Sequence, residues 1–275
     1  MVLRNSTNGE ITRHYSIEEL KDAANLMRGY DLVALNAAGS GHAGGTLSIM
    51  DITAALYLRV AEHDPGHCLW EDRDRIIWFT GHKAPSLYVG LAFAGFCPLE
   101  DVVFLRKLLS PYQGHPHWQK LPGVEVSTGS LGQGLSIAVG IALAGKLNGK
   151  SYTTFCIMGD GEQQEGQIWE AAMEASHHKL DNLVGIVDCN RLQIDGAVAD
   201  VMNVEPLEDK YRSFGWDVRR IDGHNTAEVV QTLQNAKTAC GKPRVILADT
   251  VKNKGVSFME TSQGGTGRSL ATTKC

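Results

Sequence analysis

Aromatic residues make up only 7% of the chain, and no two of its six cysteines lie close together. Cys68 and Cys97 are the nearest pair, so there is no Cys-x-x-Cys and no zinc-knuckle spacing. The expectation is buried, reduced thiols rather than a disulfide framework. Basic excess is missing too: 26 Lys and Arg face 31 Asp and Glu, a formal charge of −5. That balance excludes a nucleic-acid scaffold, which is usually basic. No apolar run of about 18 residues occurs, so no membrane span is expected. The stretch from Met1 to Ser16 lacks the apolar core of a signal peptide, which points to the cytoplasm.

What remains is a chain of 275 residues, 43% hydrophobic, long enough to bury a sizeable core. Its 30 glycines suggest tight turns beside a phosphate-bearing ligand. Ser16 and Glu19 form a capping-box pattern, followed by Leu20, Ala23, Ala24 and Met27 at helical spacing. Gly39 to Gly45 breaks that helix. Leu47–Val60, Pro85–Phe93 and Leu99–Leu109 read as helices, and Arg75–Phe79 as a buried strand. Ser110–Ser127 holds Pro111, Pro116, Pro122, His115 and His117, and reads as a long structured loop of the functional kind. Leu131–Leu147 is apolar and small-residued, as in a buried helix.

From Tyr152 onward strands and helices alternate. Strands are expected at Tyr152–Met158, Leu183–Asp188, Trp216–Ile221 and Val245–Val251, with helices through Trp169–His177 and Thr226–Thr238. Such alternation predicts an α/β fold, a mainly parallel sheet with helices on both faces. One domain over residues 1–260 and a flexible tail over 261–275 are expected.

The strongest chemical signal is Gly159-Asp160-Gly161, followed one crossover later by Asn190. Each polar residue falls just past the carboxyl end of an expected strand, where open α/β sheets bind ligands. An Asp, an Asn oxygen and a nearby main-chain carbonyl make an oxygen-only set suited to magnesium on a diphosphate. Taken alone, Gly-Asp-Gly is also an ordinary strand-ending turn. The Asn at crossover distance is what separates the two readings.

The block from Gly159 to Gly196 resembles the thiamine-diphosphate fingerprint of transketolases. So do Ser40-Gly41-His42, Thr80-Gly81-His82, Gly114-His115-Pro116 and Ser127 through Gly134, all in family order over roughly Ala24 to Glu260. The pattern is most similar to amino-terminal subunits of split, two-chain transketolases. The resemblance implies the thiamine-diphosphate-binding fold, with thiamine diphosphate and magnesium as cofactors.

It also implies roles for particular residues. Asp160, Asn190 and the Leu192 carbonyl would hold the magnesium, and Gly159 and Gly161 would line the diphosphate. His82 would stand beside the diphosphate and thiazolium. Gly129, Ser130 and Leu131 would meet the aminopyrimidine, and Ile194 the thiazolium. His42 and His115 would serve the substrate hydroxyls, since imidazole can take and return protons near neutral pH. Glu165 would lie at a subunit contact; its residue-level alternative is a solvated helix start. For His14, His63, His67, His117, His177, His178 and His224 ordinary surface or core packing is expected.

The implied reaction is transfer of a two-carbon ketol unit from a ketose phosphate to an aldose. The glutamate that activates the aminopyrimidine, and residues that clamp the sugar phosphate, belong to a pyrimidine-binding domain absent from this sequence. A second subunit carrying it is therefore expected, two of each chain, with no nucleic-acid or membrane partner. Two departures stand out. Lys83 beside His82 faces an anionic group or is simply solvated. The Trp-His-Gly that the resemblance implies after Glu260 is replaced by Gly264-Gly265-Thr266-Gly267. An acceptor other than a sugar, a lipoyl or carrier-protein arm, is the alternative; a 2-oxo acid dehydrogenase-like component and a non-catalytic protein with the same fold are the other readings.

Overall fold

The computed structural model describes residues 15–194 and 196–260. His14, the expected tail over 261–275 and the replaced Trp-His-Gly segment therefore lie outside the described residues.

In chain order the elements are α1 (Ile17–Ala38), α2 (Ala43–Ser48), α3 (Met50–Ala55), β1 (Arg75–Trp78), α4 (Ala84–Ala94), α5 (Gln133–Leu147), β2 (Thr154–Gly159) and α6 (Gly166–His177). They continue through β3 (Leu183–Cys189), β4 (Leu192–Gln193), β5 (Gly196–Ala197), α7 (Val198–Met202), α8 (Leu207–Ser213), β6 (Asp217–Asp222), α9 (Thr226–Ala236) and β7 (Arg244–Asp249).

Five strands pair in the order β1-β2-β3-β7-β6, every neighbour parallel. The two-residue strands β4 and β5 form a separate antiparallel ladder. Both faces of the main sheet are buried, and side chains alternate between two cores as a period of two requires. Phe155, Ile157, Val184, Ile186 and Ile246 pack with α1, α3, α4 and α9 on one face. Cys156, Met158, Leu183, Val187, Val245 and Leu247 pack with α5, α6 and α8 on the other. Each such side chain contributes about 1.5–3 kcal/mol by leaving water.

Helix α1 begins as its sequence predicts: the Ser16 hydroxyl accepts from Glu19 N at 3.2 Å, and Ser16 N donates to the Glu19 carboxylate at 2.8 Å. It stops at Gly39, whose φ of 68° suits glycine. The region read as one helix from Leu47 to Val60 is divided. α2 starts earlier, α3 follows Ile49, and a π-helical turn runs over Leu56–Val60. The expected helix over Leu99–Leu109 is corrected: only a 3-10 turn over Leu99–Phe104 forms, and Arg106 and Leu109 then take φ of 60° and 64°, which no right-handed helix contains. Of the cysteines, Cys156 and Cys189 are buried as expected but Cys240 is exposed. Among the described residues no helix is long and apolar enough to cross a membrane.

Candidate functional site

The carboxyl ends of β1, β2, β3 and β7 open onto a cleft of about 390 Å³, within the range of small-molecule sites. The sheet register decides what meets there. Gly159 at the end of β2 pairs with Asp188 on β3, so Asp160 and Asn190 emerge side by side.

Asp160 is tied down from two directions: Oδ1 accepts from Gly161 N at 2.8 Å and Oδ2 from Arg191 N at 2.5 Å. Burial, followed by the nearby Asp188 carboxylate, raises its pKa to about 6. Asn190 donates its Nδ2 to Asp188 Oδ2 at 3.1 Å, while its Oδ1 accepts from Leu192 N at 3.2 Å. This fixes which end of the amide is oxygen and which nitrogen. The Leu192 carbonyl belongs to the first residue of β4, where the β4–β5 ladder begins, and the Lys252 ammonium stands 3.5 Å from it. Among the described residues no group of three His, Cys, Asp or Glu forms a metal cluster. The donor set is instead one carboxylate, one amide oxygen and one peptide oxygen. Such a set fits a hard cation that also keeps water and phosphate oxygens.

Loops on the opposite wall bring the histidines. His42 caps α2 and meets His82 edge to face, ring centroids 5.4 Å apart. Burial, then Arg106, His115 and Lys252, lowers the His42 pKa. Burial, then Lys83, lowers that of His82 to about 3. Gly81 and Gly129 touch backbone to backbone: a Cβ on Gly81 would lie 2.7 Å from the Gly129 Cα and 2.9 Å from the His115 Cδ2. Three segments far apart in sequence thus meet where no larger residue fits.

The cleft is lined by His42, His82, Gly129, Leu131, Gly159, Asp160, Gly161, Glu165, Asn190, Leu192 and Ile194. His115 and Ser130 are exposed and stand outside this lining, although His115 packs on Gly129. Ile194 is 69% exposed, an apolar side chain offered to the cleft. Glu165 is exposed at the start of α6, and Gly132 leaves room for it: a Cβ there would fall 2.7 Å from Glu165 Cβ. Of the histidines expected to be packing residues, His63 is buried on the Tyr57 carbonyl at 2.7 Å, and His224 bridges Asp51 and Val251 N.

Two contributors escaped the sequence reading, and a third was left open by it. Glu162 is buried and accepts from Gly132 N and Gly159 N, each at 3.1 Å, so one carboxylate joins two loops. Its pKa rises to about 7 through burial, which the two N–H groups only partly oppose. Its position in the first turn after a strand looks like any acidic helix start. Lys252 is buried above Gly44, where a Cβ would come within 2.7 Å of its Cε. Lys83, left open between two readings, is not solvated; it is 3% exposed and paired with Asp188.

The family model described as transketolase, thiamine diphosphate binding domain, matches residues 20–274. The chain is 46% identical to the 6-deoxy-6-sulfo-D-fructose transketolase subunit SqwG of a Clostridium species over 242 residues, 88% of each chain. It is 41% identical to one of the subunits of the apulose-4-phosphate transketolase of Phocaeicola vulgatus, covering 88% of this chain and 85% of that one. The crystal structure of transketolase from Campylobacter jejuni superposes with a TM-score of 0.87 at 35% identity, over 93% of this chain but 41% of that one. With the parallel sheet, the oxygen donors at its carboxyl edge and the histidines opposite them, these likenesses place the chain in the transketolase family, as its thiamine diphosphate binding part.

Proposed function

We propose that this chain is one subunit of a two-chain, cytoplasmic transketolase that moves a two-carbon ketol unit from an anionic ketose to an aldose. The observation that carries the reading is the single cleft in which Asp160, Asn190 and Leu192 face His42 and His82. Asp160, the Asn190 oxygen and the Leu192 carbonyl would hold magnesium, and the backbone of Gly159 and Gly161 would approach the diphosphate. When bound, thiamine diphosphate supplies the electron sink for breaking a carbon–carbon bond beside a carbonyl.

This chain's own part is position and proton handling. His42 and His82 have pKa values lowered by burial and neighbouring cations, so both are neutral at pH 7. A neutral His42 ring nitrogen can accept the proton of a substrate hydroxyl and return it. His115, which packs beside Gly81 and Gly129, would meet a hydroxyl farther along the sugar. Gly129, Ser130 and Leu131 would meet the aminopyrimidine, Ile194 would cover the thiazolium, and Glu165 would lie against the second subunit.

A partner completes the site in this reading. The chain spans about two fifths of the Campylobacter transketolase while nearly matching the subunit relatives in length. An assembly with two of each chain, the partner carrying the pyrimidine domain, would enclose the cofactor. The relatives named for sugar substrates favour a sugar acceptor over a lipoyl or carrier-protein arm.

Reconstitution tests this. The purified chain mixed with a pyrimidine-domain chain from the same organism should transfer ketol units between sugars only when both chains, magnesium and thiamine diphosphate are present. Transfer by this chain alone, or none by the assembled pair with any phosphorylated or sulfonated ketose, would overturn it.

A further inference from the structure

Lys83 lines the cleft with its side chain 3% exposed, and its stem runs against Gly45, where a Cβ would meet Lys83 Cε at 2.7 Å. Its ammonium comes to about 4.0 Å from the position of a Cβ on Gly159 and donates to Asp188 Oδ2 at 2.5 Å. Asp188 is fully buried at the end of β3. Besides Lys83 it accepts from the Ser48 hydroxyl at 2.6 Å, from the Thr250 hydroxyl, and from Asn190 Nδ2 at 3.1 Å. The last of these orients the Asn190 amide. A carboxylate this deep needs a compensating charge, and Lys83 supplies it.

We propose that Lys83 is a positioning residue for the metal corner: by holding Asp188 as an acceptor it turns the Asn190 oxygen, and not its nitrogen, toward the bound cation. The inference rests on the cofactor reading above. Asn190 would be the group that touches the metal, with Asp188 behind it and Lys83 behind Asp188. Partners at one remove from a metal ligand commonly change metal affinity 10- to 100-fold, roughly. The same role accounts for a cation that lines the cleft with its side chain almost wholly buried. It does not require the ammonium to touch the diphosphate.

The test is a magnesium titration, followed by calorimetry in the presence of thiamine diphosphate, on the full chain together with its partner subunit. Lys83→Met should weaken magnesium binding by roughly ten- to hundredfold. Lys83→Met combined with Asp188→Asn removes both charges yet leaves an oxygen at position 188 for Asn190 Nδ2, and should return the affinity to within about threefold of the unaltered protein. Unchanged affinity in a folded Lys83→Met protein would overturn the inference. So would a double variant as weak as the single one, because that result would mean the ammonium itself meets the ligand. If Lys83→Met does not fold, Lys83→Met with Asp188→Asn is compared with Lys83→Met with Asp188→Ala. Equal affinities in that pair would overturn the inference, and weaker binding with alanine at position 188 would support it. No metal uptake by the unaltered pair would overturn the cofactor reading and this inference together, whereas uptake indifferent to Lys83 overturns this inference alone.

Discussion

The two walls of the cleft are built differently. The metal wall grows directly from the ends of β2 and β3, and its side chains are buried and hydrogen-bonded several times over. The histidine wall is carried on loops: His42 caps α2 without a side-chain cap bond, and Leu131 is 40% exposed. The sheet wall is held by bonds within the chain, while the loop wall is more exposed. In the two-chain reading proposed above, this division would match a cofactor seat prepared in advance and a substrate seat that assembly finishes.

Substitutions should respect this contrast. Asp160→Ala should have the largest effect, weakening cofactor and magnesium retention by roughly hundredfold or more, since a direct donor matters at least as much as its supports. A dialysed, reconstituted pair that keeps its cofactor after this change would erase the distinction between the walls.

Asp31 tests what holds the loop wall. It is buried beneath α2, accepts from the Thr46 hydroxyl at 2.6 Å, and has its pKa raised by burial to about 7 from 3.8. The fold therefore favours its protonated form. That contribution is fully present below pH 3.8 and is lost as pH rises through about 7. Asp31→Asn should flatten this slope, worth on the order of 2–4 kcal/mol between pH 4 and pH 8. Denaturant unfolding at the two pH values measures it, and an unaltered slope would move the pH sensitivity elsewhere.

Glu162→Gln comes next. Gly132 N and Gly159 N bond opposite oxygens of the carboxylate, one of which becomes an NH2 donor in Gln, so about 1–2 kcal/mol of stability should be lost. Thermal melts would show it, with the loss shrinking when cofactor is bound. His115→Ala should do least to the chain itself, within about 0.5 kcal/mol in stability, and leave cofactor affinity unchanged while slowing turnover in the pair. A large fall in cofactor affinity would show that the loop wall also seats the cofactor.

Much of the sheet wall was legible in the sequence. Strand ends, glycines and a polar residue at crossover spacing are local signals, and they put Asp160 and Asn190 just past the ends of β2 and β3, where the structure has them. The parallel α/β layering followed from alternation alone. What stayed hidden was burial. Lys83, Lys252 and Glu162 belong to residue types that are usually solvated, and only the packing of Gly44, Gly45 and Gly132 around them shows otherwise. The helix expected over Leu99–Leu109 failed because left-handed turns at Arg106 and Leu109 leave no mark in hydrophobic spacing. Helices α7 and α8 and the β4–β5 ladder are too short to show a period.

The pairing of Gly159 with Asp188 in the middle of the sheet has a consequence in time as well as in space. Amides there are expected to exchange with solvent only when the whole sheet opens, whereas the loops opposite can breathe separately. This corner of the cleft should therefore last as long as the folded chain does. In the two-chain reading proposed above, a newly made subunit would then meet its partner with one side of the cleft already set.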